Sequence, residues 1–201
     1  HIPKIILTTF PSVDTALMAL RSNGGKMPPA VDFLDKGDGN GALLAAIERV
    51  QLFRDIFIVH GHDELTLLQV KEFLTKLHLN PVVLKDMPNA GQFIMEKLEQ
   101  SSNCIYVIVL MTPDDVCVLK SEDDQVKYRA RQNVILETGY FMGKLGRNKL
   151  SVLYNERVEL PSDMHGILWI KLDPGGAWKL ALLHDLNAAG VLFDPTDFLK
   201  G

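Results

Sequence analysis

The chain has 201 residues, of which 47% are hydrophobic and 23% charged, with a formal net charge of −4. That balance describes an ordinary globular protein of one domain with an appendage, or of two small domains, and neither disorder nor disulfide stapling is indicated. No Lys/Arg run is dense enough to form a nucleic-acid stripe, no stretch reaches the roughly 18 apolar residues of a membrane span, and no signal peptide opens the chain. The two cysteines, Cys104 and Cys117, lack CxxC or Cys/His metal spacing and read as free thiols of a reducing compartment, so the expected location is cytoplasmic. A start at His1 rather than Met makes a fragment or a processed chain an expectation as well.

Residues 1–54 read as an N-terminal extension, or the remnant of an upstream region. They carry the apolar run Ile5-Ile6-Leu7 and a helix over Val13–Arg21, with Ser12 as N-cap and Asn23-Gly24-Gly25 as its stop. The Pro/Gly/Asp-rich stretch Lys26–Gly41 reads as a loop or linker, and a second helix runs over about Ala42–Phe53. No chemical motif stands in this part.

From Asp55 to the end, residues 55–201, short apolar runs alternate with helical spacing. Ile56-Phe57-Ile58-Val59 reads as a strand buried on both faces, and Leu65–Leu77 as a helix capped by Asp63. Val82-Val83-Leu84 is the next strand, Phe93–Gln100 a helix, Cys104–Leu110 the longest strand and Arg131–Lys144 the longest helix. Ser151–Tyr154 and Ile167–Leu172 follow as strands, and Trp178–Ala189 closes the chain as a helix. Such alternation gives an α/β fold, a parallel sheet of about five strands with helices on both faces.

In open α/β sheets ligands bind beyond the carboxyl ends of the strands. Those ends lead into His60-Gly61-His62-Asp63-Glu64, Lys85–Gly91, Met111–Asp115 and Asn155-Glu156-Arg157. A metal would need three or four convergent ligands, and no second cluster accompanies His60 and His62, so no metal is expected. The first turn reads better as a Gly turn that brings N–H groups and a helix N-terminus to an anion, or as a capped turn with no ligand. GxGxxG is absent there, which argues against hydride transfer. On the helix from Arg131, the residues Val134, Phe141, Met142 and Leu145 line one face, and Glu137 falls at its edge beside Asn133, Tyr140 and Lys144. A carboxylate there is either desolvated and functional, or exposed and paired with Lys144 or Arg131.

Four motifs, in order, give the chain a family resemblance. They are Phe57-Ile58-Val59-His60-Gly61-His62-Asp63, Val109-Leu110-Met111-Thr112-Pro113-Asp114-Asp115, Arg129 to Arg147, and Leu160-Pro161-Ser162-Asp163-Met164-His165-Gly166. Together they resemble the TIR-like, predicted nucleotide-binding effector domains of bacterial CBASS and Pycsar antiphage systems, over about Asp55–Leu186. Thr138 departs from the apolar residue common before the Gly, and residues 1–54 resemble no STING-like, SAVED or cyclic-nucleotide sensor. The resemblance implies a flavodoxin-like TIR fold and an NAD glycohydrolase that depletes NAD on activation. It makes Glu137 the catalytic residue and gives Gly61, His62, Asp63, Asp163 and the loop Lys85–Gly91 to the NAD pocket. Arg129 and Arg131 are candidates to meet the pyrophosphate, or to form structural ion pairs. NAD is the substrate and no cofactor is implied. Self-association through TIR contacts is expected, as is a cyclic-nucleotide-sensing region outside this chain. Two other readings stand beside this one: a non-catalytic TIR scaffold acting by homotypic assembly, and a nucleoside deoxyribosyltransferase-like enzyme.

Overall fold

Continuous apolar runs too short for helices must be buried on both sides, and helices with one apolar stripe supply the cover. The computed structural model has this form; it describes residues 5–8, 32–35, 37, 39–52, 54–86, 96, 98–99, 103–118, 126–162 and 166–194. In chain order the elements are β1 (Ile5–Thr8), β2 (Asp32–Asp35), α1 (Gly39–Leu52), β3 (Asp55–Val59), α2 (Glu64–Lys76), β4 (Asn80–Val82), β5 (Tyr106–Met111) and β6 (Asp115–Val118). They continue with β7 (Val126–Arg129), α3 (Gln132–Leu145), β8 (Leu150–Tyr154), β9 (Leu168–Lys171) and α4 (Ala177–Ala188).

The main sheet has five strands in the order β4-β3-β5-β8-β9, every neighbouring pair parallel. Counted from β3, the second strand lies outside the first and the rest follow on the other side, the flavodoxin-like order. Alternate side chains serve opposite faces, as the strand period of two requires. Ile56 and Ile58, Tyr106, Ile108 and Leu110 pack with Leu67, Val70 and Leu74 of α2 and Trp178, Leu182 and Leu186 of α4. Phe57 and Val59, Val107, Val109 and Met111 pack with Val134 and Phe141 of α3.

The expected strand Val82–Leu84 lies earlier, over Asn80–Val82. Asn80 pairs with Asp55 in the ladder, and its amide donates to the Asp55 carboxylate at 2.7 Å, which fixes the register by a polar contact. Val83 turns into the core and Leu84 opens a 3₁₀ turn. Inside the expected linker, β2 pairs in parallel with β1 from Ile5↔Asp32 to Thr8↔Asp35. Two apolar residues between aspartates are too short a pattern to read as a strand without that partner. The expected helix Val13–Arg21 lies outside the described residues, as does most of Phe93–Gln100. An antiparallel hairpin, β6–β7, stands after β5 where the sequence pattern gives none.

Phe57 and Phe141 are both fully buried, with ring centroids 4.7 Å apart, and they clamp α3 onto the sheet. Phe141→Ala should therefore lower unfolding free energy by about 3–5 kcal/mol in urea titrations. An unchanged midpoint would mean that this ring does not dock the helix.

Candidate active site

At the switch point of a doubly wound sheet, the loops after the first and third strands diverge and leave a crevice. Here those loops, after β3 and β5, are tied together. The Asp114 carboxylate accepts from the His62 backbone N–H at 3.0 Å and from the Thr112 hydroxyl at 2.9 Å. Gly61 leaves room for it, since a Cβ on Gly61 would lie 1.8 Å from Asp114 Oδ2. Its φ is not positive, so the glycine is required for space and not for a turn. The anion that meets the His62 N–H in this structure is thus a carboxylate of the chain itself. Asp63 is the N-cap of α2, accepting from the Thr66 N–H at 2.9 Å and from its hydroxyl at 2.7 Å. The cap proposed from the sequence is formed, and both carboxylate oxygens of Asp63 are committed to it.

His60 is partly buried, and its Nδ1 donates to the Gly61 carbonyl at 2.8 Å. Burial pulls its pKa below the usual histidine value, which favours the neutral ring. Ion pairs Lys85–Glu64 at 2.6 Å and Lys71–Asp86 at 2.8 Å tie α2 to the turn after β4. All four side chains are at least partly solvated, so these pairs orient more than they stabilise. The rest of that loop, Met87–Gly91, is outside the described residues, and so is Asp163.

Arg131 is the N-cap residue of α3 and makes no side-chain cap bond. Its guanidinium donates to Nε2 of His62, so the start of α3 meets the turn after β3. Arg129, on β7, pairs instead with Glu159 at 2.6 Å, and Lys127 joins the same carboxylate at 3.1 Å. Hydrogen bonding within this pair raises the Arg129 pKa and lowers that of Glu159. Two cavities adjoin it. One, of about 420 Å³, is lined by Arg129, Ala130, Ile135, Glu159, Leu160, Pro161 and Ser162. The other, of about 620 Å³, lies between β6 and α3, with Asp114, Cys117, Gln132 and Ile135 on its walls.

Glu137 borders neither cavity. It follows Ile135 by two residues, about 200° around an α-helix, and so lies on the opposite flank of α3. The core-facing stripe between these flanks is Val134, Thr138 and Phe141. Thr138 is buried without penalty because its hydroxyl donates to the Val134 carbonyl at 2.6 Å. Glu137 itself is partly buried, and burial pushes its carboxyl up from 4.5 to about 7. Neither Lys144 nor Arg131 pairs with it, and no other described residue gives it a hydrogen bond or ion pair. The paired alternative, open from spacing alone, is not what the described residues form. Of the expected site residues, then, Gly61, His62 and Arg131 come together, Asp63 caps beside them, Arg129 stands in the hairpin, and Glu137 occupies the far flank of α3. Asp114 is the residue that sequence reasoning did not single out.

Residues 55–174 match the family model described as CAP12/Pycsar effector protein, TIR domain. The chain belongs to this family. It is 48% identical over 143 residues to the protein YuaY of Escherichia coli (strain K12), a match covering 70% of this chain and 47% of that protein. It is 41% identical to protein tirC of Dictyostelium discoideum over 57% of this chain and 62% of that one. The Pycsar effector protein PaPycTIR of Pseudomonas aeruginosa is 38% identical over 40% of this chain and 26% of its own length. The chain spans about half the length of the first of these relatives and a quarter of the third.

Among the described residues of this TIR domain, no group of three or more His, Cys, Asp or Glu side chains is placed to hold a metal ion, and no helix is long and apolar enough to cross a membrane. The raised Glu137 pKa has a signature in stability. Between about 4.5 and 7 the folded domain holds a proton that the unfolded chain has released, so stability falls as pH rises through that window. Glu137→Gln should therefore melt at a higher temperature than wild type above pH 7, with the difference closing below about pH 4.5. Melting curves that stay parallel across that range would mean that the carboxylate is not desolvated.

Proposed function

We propose that this TIR domain cleaves NAD at the nicotinamide–ribose bond, with Glu137 as the carboxylate that stabilises the positive charge developing on the ribose, and that it serves as an antiphage effector. The observation that carries the reading is a partly buried carboxylate with no ion-pair or hydrogen-bond partner among the described residues, its pKa raised to about 7 by burial. An unpaired desolvated carboxylate is costly to the fold, and such groups gather at functional sites. As a surface side chain of a pure scaffold, Glu137 would have no reason to bear that cost.

The reaction asks little else of the protein. The nicotinamide of NAD is a cationic pyridinium; as its C–N bond breaks, the bonding pair goes to the ring, which leaves neutral and needs no general acid. Positive charge grows on the ribose, as in glycoside cleavage generally. A fixed carboxylate in a low-dielectric site stabilises that charge without reorganising. Water then bonds to the anomeric carbon and releases a proton, giving ADP-ribose and nicotinamide. Arg131, in contact with His62 at the start of α3, is the candidate to meet a phosphate. Arg129 is less available, being held by Glu159.

Family membership supports the effector role, and likeness to Pycsar and CAP12 effectors supports a cyclic-nucleotide input. We infer that this input reaches the TIR domain from a sensing region outside the present chain, and that TIR domains associate when active.

The test is nicotinamide release from NAD, for protein free in solution and for protein tethered at high density. Glu137→Gln should lose about 100- to 1,000-fold in rate, the usual cost of one preorganised electrostatic partner. Full activity of that variant would remove Glu137 from the chemistry. In wild type, kcat/KM should rise with pH and level off above about 7, following the carboxyl in the free enzyme. The inflection in kcat should lie lower, because the bound pyridinium favours the ionised carboxylate. A pH-independent kcat/KM between 5 and 9 would contradict the assignment.

A further inference from the structure

We propose that Asp114 is a positioning residue for the reaction at Glu137, acting through a lock between the loops after β3 and β5. This rests on the NAD-cleaving reading above. The lock has three parts. Asp114 accepts the His62 N–H at 3.0 Å and the Thr112 hydroxyl at 2.9 Å, and its carboxylate fills the space beside Gly61 that any larger residue would need. Its own N–H donates to the Thr112 carbonyl at 2.8 Å, so the carboxylate is presented by a tight turn at the end of β5.

The lock reaches α3, which carries the carboxylate, through one further contact. His62, held at its backbone by Asp114, receives the Arg131 guanidinium at its Nε2. Arg131 is the N-cap residue of α3, and with no side-chain cap bond of its own the helix start is anchored at that point by the histidine. Glu137 lies six residues further along the chain, under two turns into the same rigid element. Val134 and Phe141 hold the inner face of α3 against the sheet, and the His62–Arg131 contact sets where its first turn stands relative to the crevice. Asp114 thus sets where the helix that carries Glu137 stands against the strand ends, without touching the substrate. The carboxylate also occupies the His62 N–H, so a substrate phosphate is not received by that group.

A misplacement of about 1 Å in a catalytic group can cost on the order of 100-fold in rate. Loss of the lock should therefore fall on kcat. Asp114→Ala removes both acceptor atoms and should lower kcat for nicotinamide release by about 10- to 100-fold, with KM changed less than about threefold. Asp114→Asn keeps an acceptor for His62 and a polar group for Thr112, and should recover activity to within about threefold of wild type. Gly61→Ala puts a methyl group where Asp114 Oδ2 stands and should reproduce the Asp114→Ala loss by expelling the carboxylate. Because both substitutions break one contact, the double variant should be no slower than Asp114→Ala alone.

The experiment measures kcat and KM for wild type, these four variants and Glu137→Gln, in solution and tethered. Should Asp114→Ala fail to fold, Gly61→Ala and Asp114→Asn carry the test. Asp114→Ala at more than half the wild-type kcat, a loss confined to KM, or independent losses in the double variant would overturn the positioning role while Glu137→Gln stays inactive. A wild type that releases no nicotinamide under either condition overturns the functional reading, and this inference with it.

Discussion

One carboxylate, that of Glu137, stands at the border of a hydrophobic stripe, and the character of the site follows from that position. Val134, Thr138 and Phe141 are buried against the sheet, and helical geometry then sets Glu137 on the flank of that stripe. It is close enough to lose water and too far from any described cation to recover the cost. Desolvation disfavours the charged form, hence a carboxyl pushed up to about 7. A group in that condition gains more from an approaching positive charge than a solvated glutamate does. In the proposed NAD cleavage, the ribose develops that charge as the C–N bond breaks and the ring leaves neutral.

The sheet supplies the frame for this placement. In the β4-β3-β5-β8-β9 order, the loops after β3 and β5 leave the sheet side by side, the arrangement that opens a ligand crevice in nucleotide-binding folds. In this chain part of that opening is taken by Asp114, lodged against Gly61 and bonded to His62. The feature that elsewhere receives a ligand anion here receives an internal one, and the contact is passed through His62 to the start of α3. Rigidity at the switch point and an unpaired carboxylate on α3 are therefore two ends of one mechanical connection. The β6–β7 hairpin, by contrast, is fastened by its own charges, Lys127 and Arg129 sharing Glu159.

How much could be read from the sequence follows from what each feature rests on. β5 is a continuous apolar run, and burial on both faces is the arrangement that satisfies it; β8 carries Ser151 among its apolar residues, buried where its hydroxyl meets Tyr106 and Asp185. The helices α2 and α3 carry apolar stripes at helical spacing, and Asp63 announces its cap by standing just before the first. The hairpin is different, because Val116, Val118 and Val126 are all more than half exposed, so its apolar residues do not mark a buried face. β2 is legible once its partner β1 is known, since four residues carry too little pattern alone. The role of Arg129 depends on Glu159, thirty residues away in sequence, which spacing cannot supply. Gly61 was visible as a glycine after a strand, but the carboxylate that needs its empty side comes from another loop. Glu137 was readable as a residue at an apolar edge; that none of its charged neighbours along the helix reaches it is a tertiary fact.

The electrostatic condition of Glu137 can be measured on that side chain itself. Carboxyl carbon NMR titration, with the Glu137 signal assigned by its loss in Glu137→Gln, gives the midpoint directly. A desolvated, unpaired Glu137 should titrate with a midpoint near 7 in the free domain. A non-cleavable NAD analogue that keeps the pyridinium charge should lower it by about one to three units, as a cation brought within contact range does. A midpoint near 4.5, the ordinary value, or one that the bound cationic analogue leaves unmoved, would contradict it.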